Sequence, residues 1–120
     1  MTTNEYTEVF TPKQLDTLAQ ARKIYGGKNQ VTVAAEECCE LAKELLKAIR
    51  YEDFSEAVVH TKKDVLAEVA DVLIVLDHIL KLYNITASDL QPQIEYKLNR
   101  LQQWLNDSNS IEYTTELREI

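Results

Sequence analysis

The chain has 120 residues, 45% of them hydrophobic, and a formal net charge of -7. That length fits a single domain with one real core. The acidic balance excludes a general binder of DNA, RNA or anionic membranes, because neutralising phosphates takes surplus Lys and Arg.

Only two Gly and two Pro interrupt the chain, and Leu, Ala, Glu and Lys are abundant, so helices are expected throughout. No apolar run reaches the roughly 18 residues of a membrane span, and the first residues lack the layout of a signal peptide. Cys38 and Cys39 are adjacent. Neighbours on a helix point about 100° apart, which disfavours a disulfide, and C-x-x-C metal spacing is missing. A reduced, cytoplasmic chain is expected, with Cys38 as a small apolar residue.

In chain order, residues 1–9 lack helical periodicity. Thr11 then reads as an N-cap, with Pro12 at the first helical position and Gln14 completing a capping box. Leu15, Leu18, Ala19 and Arg22 carry this helix to Tyr25, where Gly26 and Gly27 stop it. A second helix is expected from about Thr32 to Ile49, with Ala34, Cys38, Leu41, Leu45 and Ile49 as its apolar stripe. Asp53 with Glu56 and Thr61 with Asp64 each resemble a helix start. Phe54 to Tyr83 therefore reads as one long helix or, by preference, a short one followed by a long one.

From Val65 to Leu82 the pattern is apolar nearly all round, as for a helix buried in the middle of an assembly. Tyr83 and Asn84 end it. Ser88 with Gln91 reads as the cap of a fourth helix, with Pro92 in its first turn. Its stripe is Leu90, Ile94, Leu98, Leu101 and Leu105, and a polar break follows from Asp107. The expected fold is all-α, an antiparallel four-helix bundle. It is one domain over residues 1–120, with a helical core at about 11–106 and arms at 1–10 and 107–120.

The chemistry gathers on two helices. In Glu36-Glu37-Cys38-Cys39-Glu40, Glu37 and Glu40 are three residues apart and project together from the edge of the apolar stripe. Glu68 and Asp71 repeat that spacing on the face that carries Val65, Val72, Val75 and Ile79. Carboxylates in an apolar setting need a cation. No Lys or Arg lies between Asp64 and Leu80 to serve locally. The alternatives are a solvated surface, chiefly for the Glu36 to Glu40 group, or an Arg from another helix. Only oxygen ligands are on offer, so Mg²⁺ or Mn²⁺ is the expected ion rather than zinc. Mg²⁺ commonly shares its shell with substrate phosphates. Lys97 and Arg100 form a basic pair suited to phosphate or to a solvated turn.

Glu-Glu-x-x-Glu, a gap and then Glu-x-x-Asp resembles the signature of the all-α nucleoside triphosphate pyrophosphatases. That superfamily includes MazG-like enzymes, dimeric dUTPases and phosphoribosyl-ATP pyrophosphatases. Ala-Ala-Glu-Glu-Cys-Cys-Glu-Leu-Ala-Lys-Glu-Leu and Glu-Val-Ala-Asp-Val-Leu-Ile are also similar in wording, and Lys-Leu-Asn-Arg resembles the basic motif of the last helix.

The resemblance implies a MazG-like fold assembled as a homodimer or homotetramer. It implies a Mg²⁺-dependent enzyme that splits a nucleoside triphosphate into monophosphate and pyrophosphate. Glu37, Glu40, Glu68 and Asp71 would be the metal ligands. Glu36 would orient the attacking water, and Lys97 and Arg100 would bind phosphates. The first helix or the following segment would select the base, with Tyr25, Lys28 and Gln30 as candidates. Two rival readings remain open: a catalytically silent module of the same fold that binds a nucleotide or protein, and a purely structural bundle with a solvated acidic stripe.

Overall fold

The computed structural model describes the backbone of residues 9–50 and 54–107 and the side chains of 9–50 and 62–107. Among these residues there are four helices and no strand: α1 (Pro12–Tyr25), α2 (Gly27–Ala48), α3 (Phe54–Leu82) and α4 (Ala87–Asn106). The all-α expectation holds. Two compact units divide between Ile85 and Thr86, with α1 to α3 in one and α4 in the other. Most of both expected arms, residues 1–8 and 108–120, and the Asp53 end of one expected cap lie outside the described residues.

α1 begins as its sequence dictates. The Gln14 N–H donates to Thr11 Oγ1 at 3.1 Å, and the Thr11 N–H donates to Gln14 Oε1 at 2.9 Å. Its end differs from expectation. Gly26 alone makes the turn, at φ 84 and ψ 161, a region open essentially to glycine. Gly27 is already the first residue of α2, which therefore starts five residues before Thr32. Gly27 also faces Leu82, whose Cδ2 lies 3.4 Å from where a Cβ would stand. That contact pins the start of α2 against the end of α3.

α2 and α3 form the main packed pair. Their inward residues alternate at spacings of four and three, the seam of two helices packed side by side. On α2 these are Gln30, Ala34, Glu37, Leu41, Glu44 and Ala48, all buried or half-buried. On α3 they are Val65, Glu68, Val72, Val75, Ile79 and Leu82. Gly27 against Leu82 at one end makes the pair antiparallel. The stripe expected for α2 is thus rotated. Ala34 and Leu41 belong to the seam, but Cys38 is an exposed free thiol, and Leu45 and Ile49 are also exposed.

α3 is a single helix of 29 residues, without the interruption preferred from Thr61 and Asp64. Its own chain covers only part of it, leaving Leu66 62% and Leu76 44% exposed. The helix stops at Asn84, which takes a left-handed φ of 54. The Asn84 N–H then reaches Lys81 O and the Ile85 N–H reaches Leu80 O at 2.8 Å, a Schellman closure.

That closure sets the start of α4 earlier than expected. Thr86, not Ser88, is the N-cap, and Asp89, not Gln91, completes the box. The Thr86 N–H donates to Asp89 Oδ2 at 2.9 Å, and the Asp89 N–H returns to Thr86 Oγ1 at 3.2 Å. The Thr86 N–H and the Thr86 hydroxyl, which donates to the same Oδ2 at 3.0 Å, hold the Asp89 carboxyl below its usual pKa. Pro92 consequently sits inside the helix rather than in its first turn.

α1 has no fully buried residue. Its firmest tie to α3 is ionic. Arg22 Nη1 lies 3.1 Å from Asp77 Oδ2 and 3.0 Å from His78 Nδ1. Lys81 Nζ donates to the other Asp77 oxygen at 3.1 Å. Asp77 is only 1% exposed and His78 only 4%. A buried carboxylate in this position demands its cations. Replacing Asp77 by Ala should therefore destabilise the chain by about 3–5 kcal/mol in urea unfolding, because Arg22 is left facing a buried void. Lys81→Ala should cost no more than about 1 kcal/mol, since Lys81 is largely exposed. Equal losses in the two variants would contradict this division of roles.

Candidate metal centre

The α2–α3 seam places carboxylates where apolar side chains would ordinarily pack. Glu37 comes from α2, and Glu68 and Asp71 from α3. One carboxylate oxygen from each lies within 4.8 Å of the others. Glu37 and Glu68 are half-buried in the seam, while Asp71 is exposed beside it. The α3 pair Glu68 and Asp71 thus meets Glu37 of the α2 pair, while Glu40, the other member of that pair, stands outside the group.

Burial raises the pKa of Glu37, and Asp71, Glu40 and Glu36 raise it further by repulsion. Glu68 is raised by burial first, and then by Asp71, Glu40, Glu37 and Glu44. Its Oε1 is shut off from solvent and has no hydrogen-bond partner. Among the described residues no Lys or Arg bridges Glu37, Glu68 or Asp71. The Arg that sequence reasoning allowed as a partner from another helix is present in the fold, but it is Arg22 and it goes to Asp77.

Glu40 and Glu36 are exposed and stand outside the tight group of three, close enough to act on its charge. Glu44 escaped the sequence reading. It is half-buried in the seam, it adds to the repulsion on Glu68, and it holds Lys47 at 3.6 Å. Its signal was present, since Glu37, Glu40 and Glu44 follow one another at helical spacings of three and four.

The other proposed residues are less concentrated. Gln30 is buried in the same seam, about 10 Å along the α2 axis from Glu37. Tyr25 and Lys28 are exposed at the α1–α2 turn. On α4, Lys97 is exposed, and the Arg100 guanidinium carbon lies 5.0 Å from the centre of the Trp104 ring. A cavity of about 420 Å³ lies between α1 and α3, on the face of α3 turned away from the α2 seam and its carboxylates. Phe10, Gln14 and Leu18 line one side, and Ala70, Leu73 and Ile74 the other. Its volume is in the range of small-molecule sites.

The residues fit a hard divalent cation. All donors are carboxylate oxygens, one of them is orphaned, and among the described residues no Lys or Arg pairs with the three. Octahedral Mg²⁺ spaces its ligand atoms about 3–4 Å apart, and one oxygen of each carboxylate lies within 4.8 Å of the others. No protein-family model, curated protein or solved structure matches the chain.

The pKa shifts give this site a signature. For carboxyls raised in the fold, stabilisation by protonation is complete below about pH 4.5 and is lost as pH rises through the raised values. Metal-free chain should therefore lose thermal stability on this account as pH climbs toward neutrality. Glu68→Gln should flatten that loss, and Mg²⁺ at neutral pH should reverse it in the parent chain. Melting curves that respond neither to Mg²⁺ nor to Glu68→Gln would contradict the site.

Proposed function

We propose that the chain is a Mg²⁺-dependent nucleoside triphosphate pyrophosphohydrolase that releases monophosphate and pyrophosphate. The observation that carries this reading is the uncompensated group Glu37, Glu68 and Asp71, drawn from two helices around an orphaned buried oxygen. Mg²⁺ bound there supplies the charge neutralisation and the acidified water that phosphoric anhydride hydrolysis needs, and Mn²⁺ is the natural substitute.

The chain's own part is positional. Glu37, Glu68 and Asp71 would hold the ion, with Glu40 as the fourth proposed ligand. Glu36, on the solvent side, orients the attacking water. An acidic centre of this kind repels a free triphosphate, so substrate enters only with its metal. Lys97 and Arg100 are the proposed phosphate contacts, and Tyr25, Lys28 and Gln30 the proposed base contacts.

A homodimer or homotetramer agrees with the apolar surface that the chain leaves bare, at Leu45, Leu46, Ile49, Leu66 and Leu76. Among the described residues no helix is long and apolar enough to cross a membrane. The unbridged Cys38 and Cys39 suit a reducing cytoplasm.

A pyrophosphate-release screen over canonical, deoxy and modified nucleoside triphosphates tests the proposal. Release should require Mg²⁺ or Mn²⁺, and Glu68→Gln or Asp71→Asn should lower turnover by about 100-fold or more. Release that persists in both variants would overturn the assignment. Nucleotide binding without any release would instead indicate a silent binding module.

A further inference from the structure

The second ionic cluster of the chain lies about 9 Å further along α3 than Asp71 and takes no part in the carboxylate site. Its geometry fixes a protonation state. An Arg guanidinium carries donors only. Arg22 Nη1 bears two hydrogens, and its two partners are Asp77 Oδ2 at 3.1 Å and His78 Nδ1 at 3.0 Å. His78 Nδ1 must therefore present its lone pair, so the imidazole is neutral with its proton on Nε2.

A proton on Nδ1 would set N–H against N–H at that distance. It would also place another cation beside Arg22. Among the described residues the charged groups facing the ring are Arg22 from α1, Asp77 on its own helix and Lys81 behind Asp77, with none from α2. Burial and Arg22 hold the imidazole below its ordinary pKa, against the weaker opposing pull of Asp77.

α1 depends on this contact more than the other helices of its unit would. It buries no residue fully. Leu15 and Leu18 are only half-buried, and the tie to the buried Asp77 and His78 runs through Arg22.

We propose that Arg22 and His78 form an acid-sensitive latch between α1 and α3. Protonation of His78 breaks the Arg22 contact and loosens α1, and with it the cavity wall that Gln14, Thr17 and Leu18 provide, while the α2–α3 pair stays folded. The proposal is independent of the metal site. Its sign follows from the neutral ring. The latch is at full strength above the ordinary imidazole value of about 6.5 and weakens by up to tenfold for each pH unit below it.

Two measurements on the full chain test this. Imidazole ¹⁵N NMR should show His78 as the Nε2–H tautomer, titrating below the ordinary histidine value. Amide hydrogen exchange, corrected for intrinsic rates, should show α1 losing protection by up to about tenfold relative to α2 between about pH 7.5 and 5.5. His78→Asn keeps an oxygen acceptor for Arg22 but cannot be protonated, so it should abolish that pH dependence. A proton on Nδ1, titration at or above the ordinary value, α1 protection that does not change with pH, or a His78→Asn chain that retains the parental loss would each overturn the latch. The first three readouts need no variant, so they decide the question even where His78→Asn fails to fold.

Discussion

Repulsion between carboxylates of two packed helices is the constraint on which the rest of the structure turns. Glu37, Glu44 and Glu68 occupy seam positions between α2 and α3. At these positions apolar residues would add stability at about 25 cal/mol per Å² of buried area. Instead the seam carries carboxyls, and burial together with the neighbouring acidic groups raises the pKa of Glu37 and of Glu68. Val65, Leu41, Val72, Val75 and Ala34 must hold the two helices together against that repulsion. A seam built this way is weaker than it needs to be as scaffolding, and a divalent cation is the simplest agent that turns its liability into attraction.

The treatment of Asp77 makes the contrast plain. That carboxylate is also on α3 and is more deeply buried than Glu68. It receives Arg22 on one oxygen and Lys81 on the other. Among the described residues, the fold thus supplies cations to a carboxylate that docks a helix and none to the group at Glu37, Glu68 and Asp71. The difference cannot be put down to a shortage of basic residues on the chain, which has 13 Lys and Arg in all.

Much of this was legible in local pattern. The Thr11 box, the helical nature of every described segment and the two acid pairs all rest on spacings of three and four, which sequence displays directly. The misreadings have local and non-local causes. Ser88-Gln91 and Thr86-Asp89 both fit a capping template, and the Asn84 closure, which depends on a backbone conformation, decides for Thr86. Gly27 reads as a stop, yet it opens α2 because Gly26 alone suffices for the turn. The α2 stripe was taken through the apolar Cys38, Leu45 and Ile49, whereas the packed seam runs through Glu37 and Glu44. Apolar patterning misdirects wherever polar residues occupy a seam. The Arg22–Asp77 pair joins residues 55 apart in the chain, and no local periodicity reports it.

The central claim is that the α2–α3 carboxylates bind a divalent cation. Paramagnetic broadening by Mn²⁺ in ¹H–¹⁵N spectra of the full chain tests it most directly. Substoichiometric Mn²⁺ should bleach amides around Glu37, Glu68 and Asp71 first, Mg²⁺ should compete the effect away, and Asp77 and His78 should respond later. Broadening spread evenly over the acidic surface, or absent at those three residues, would contradict it.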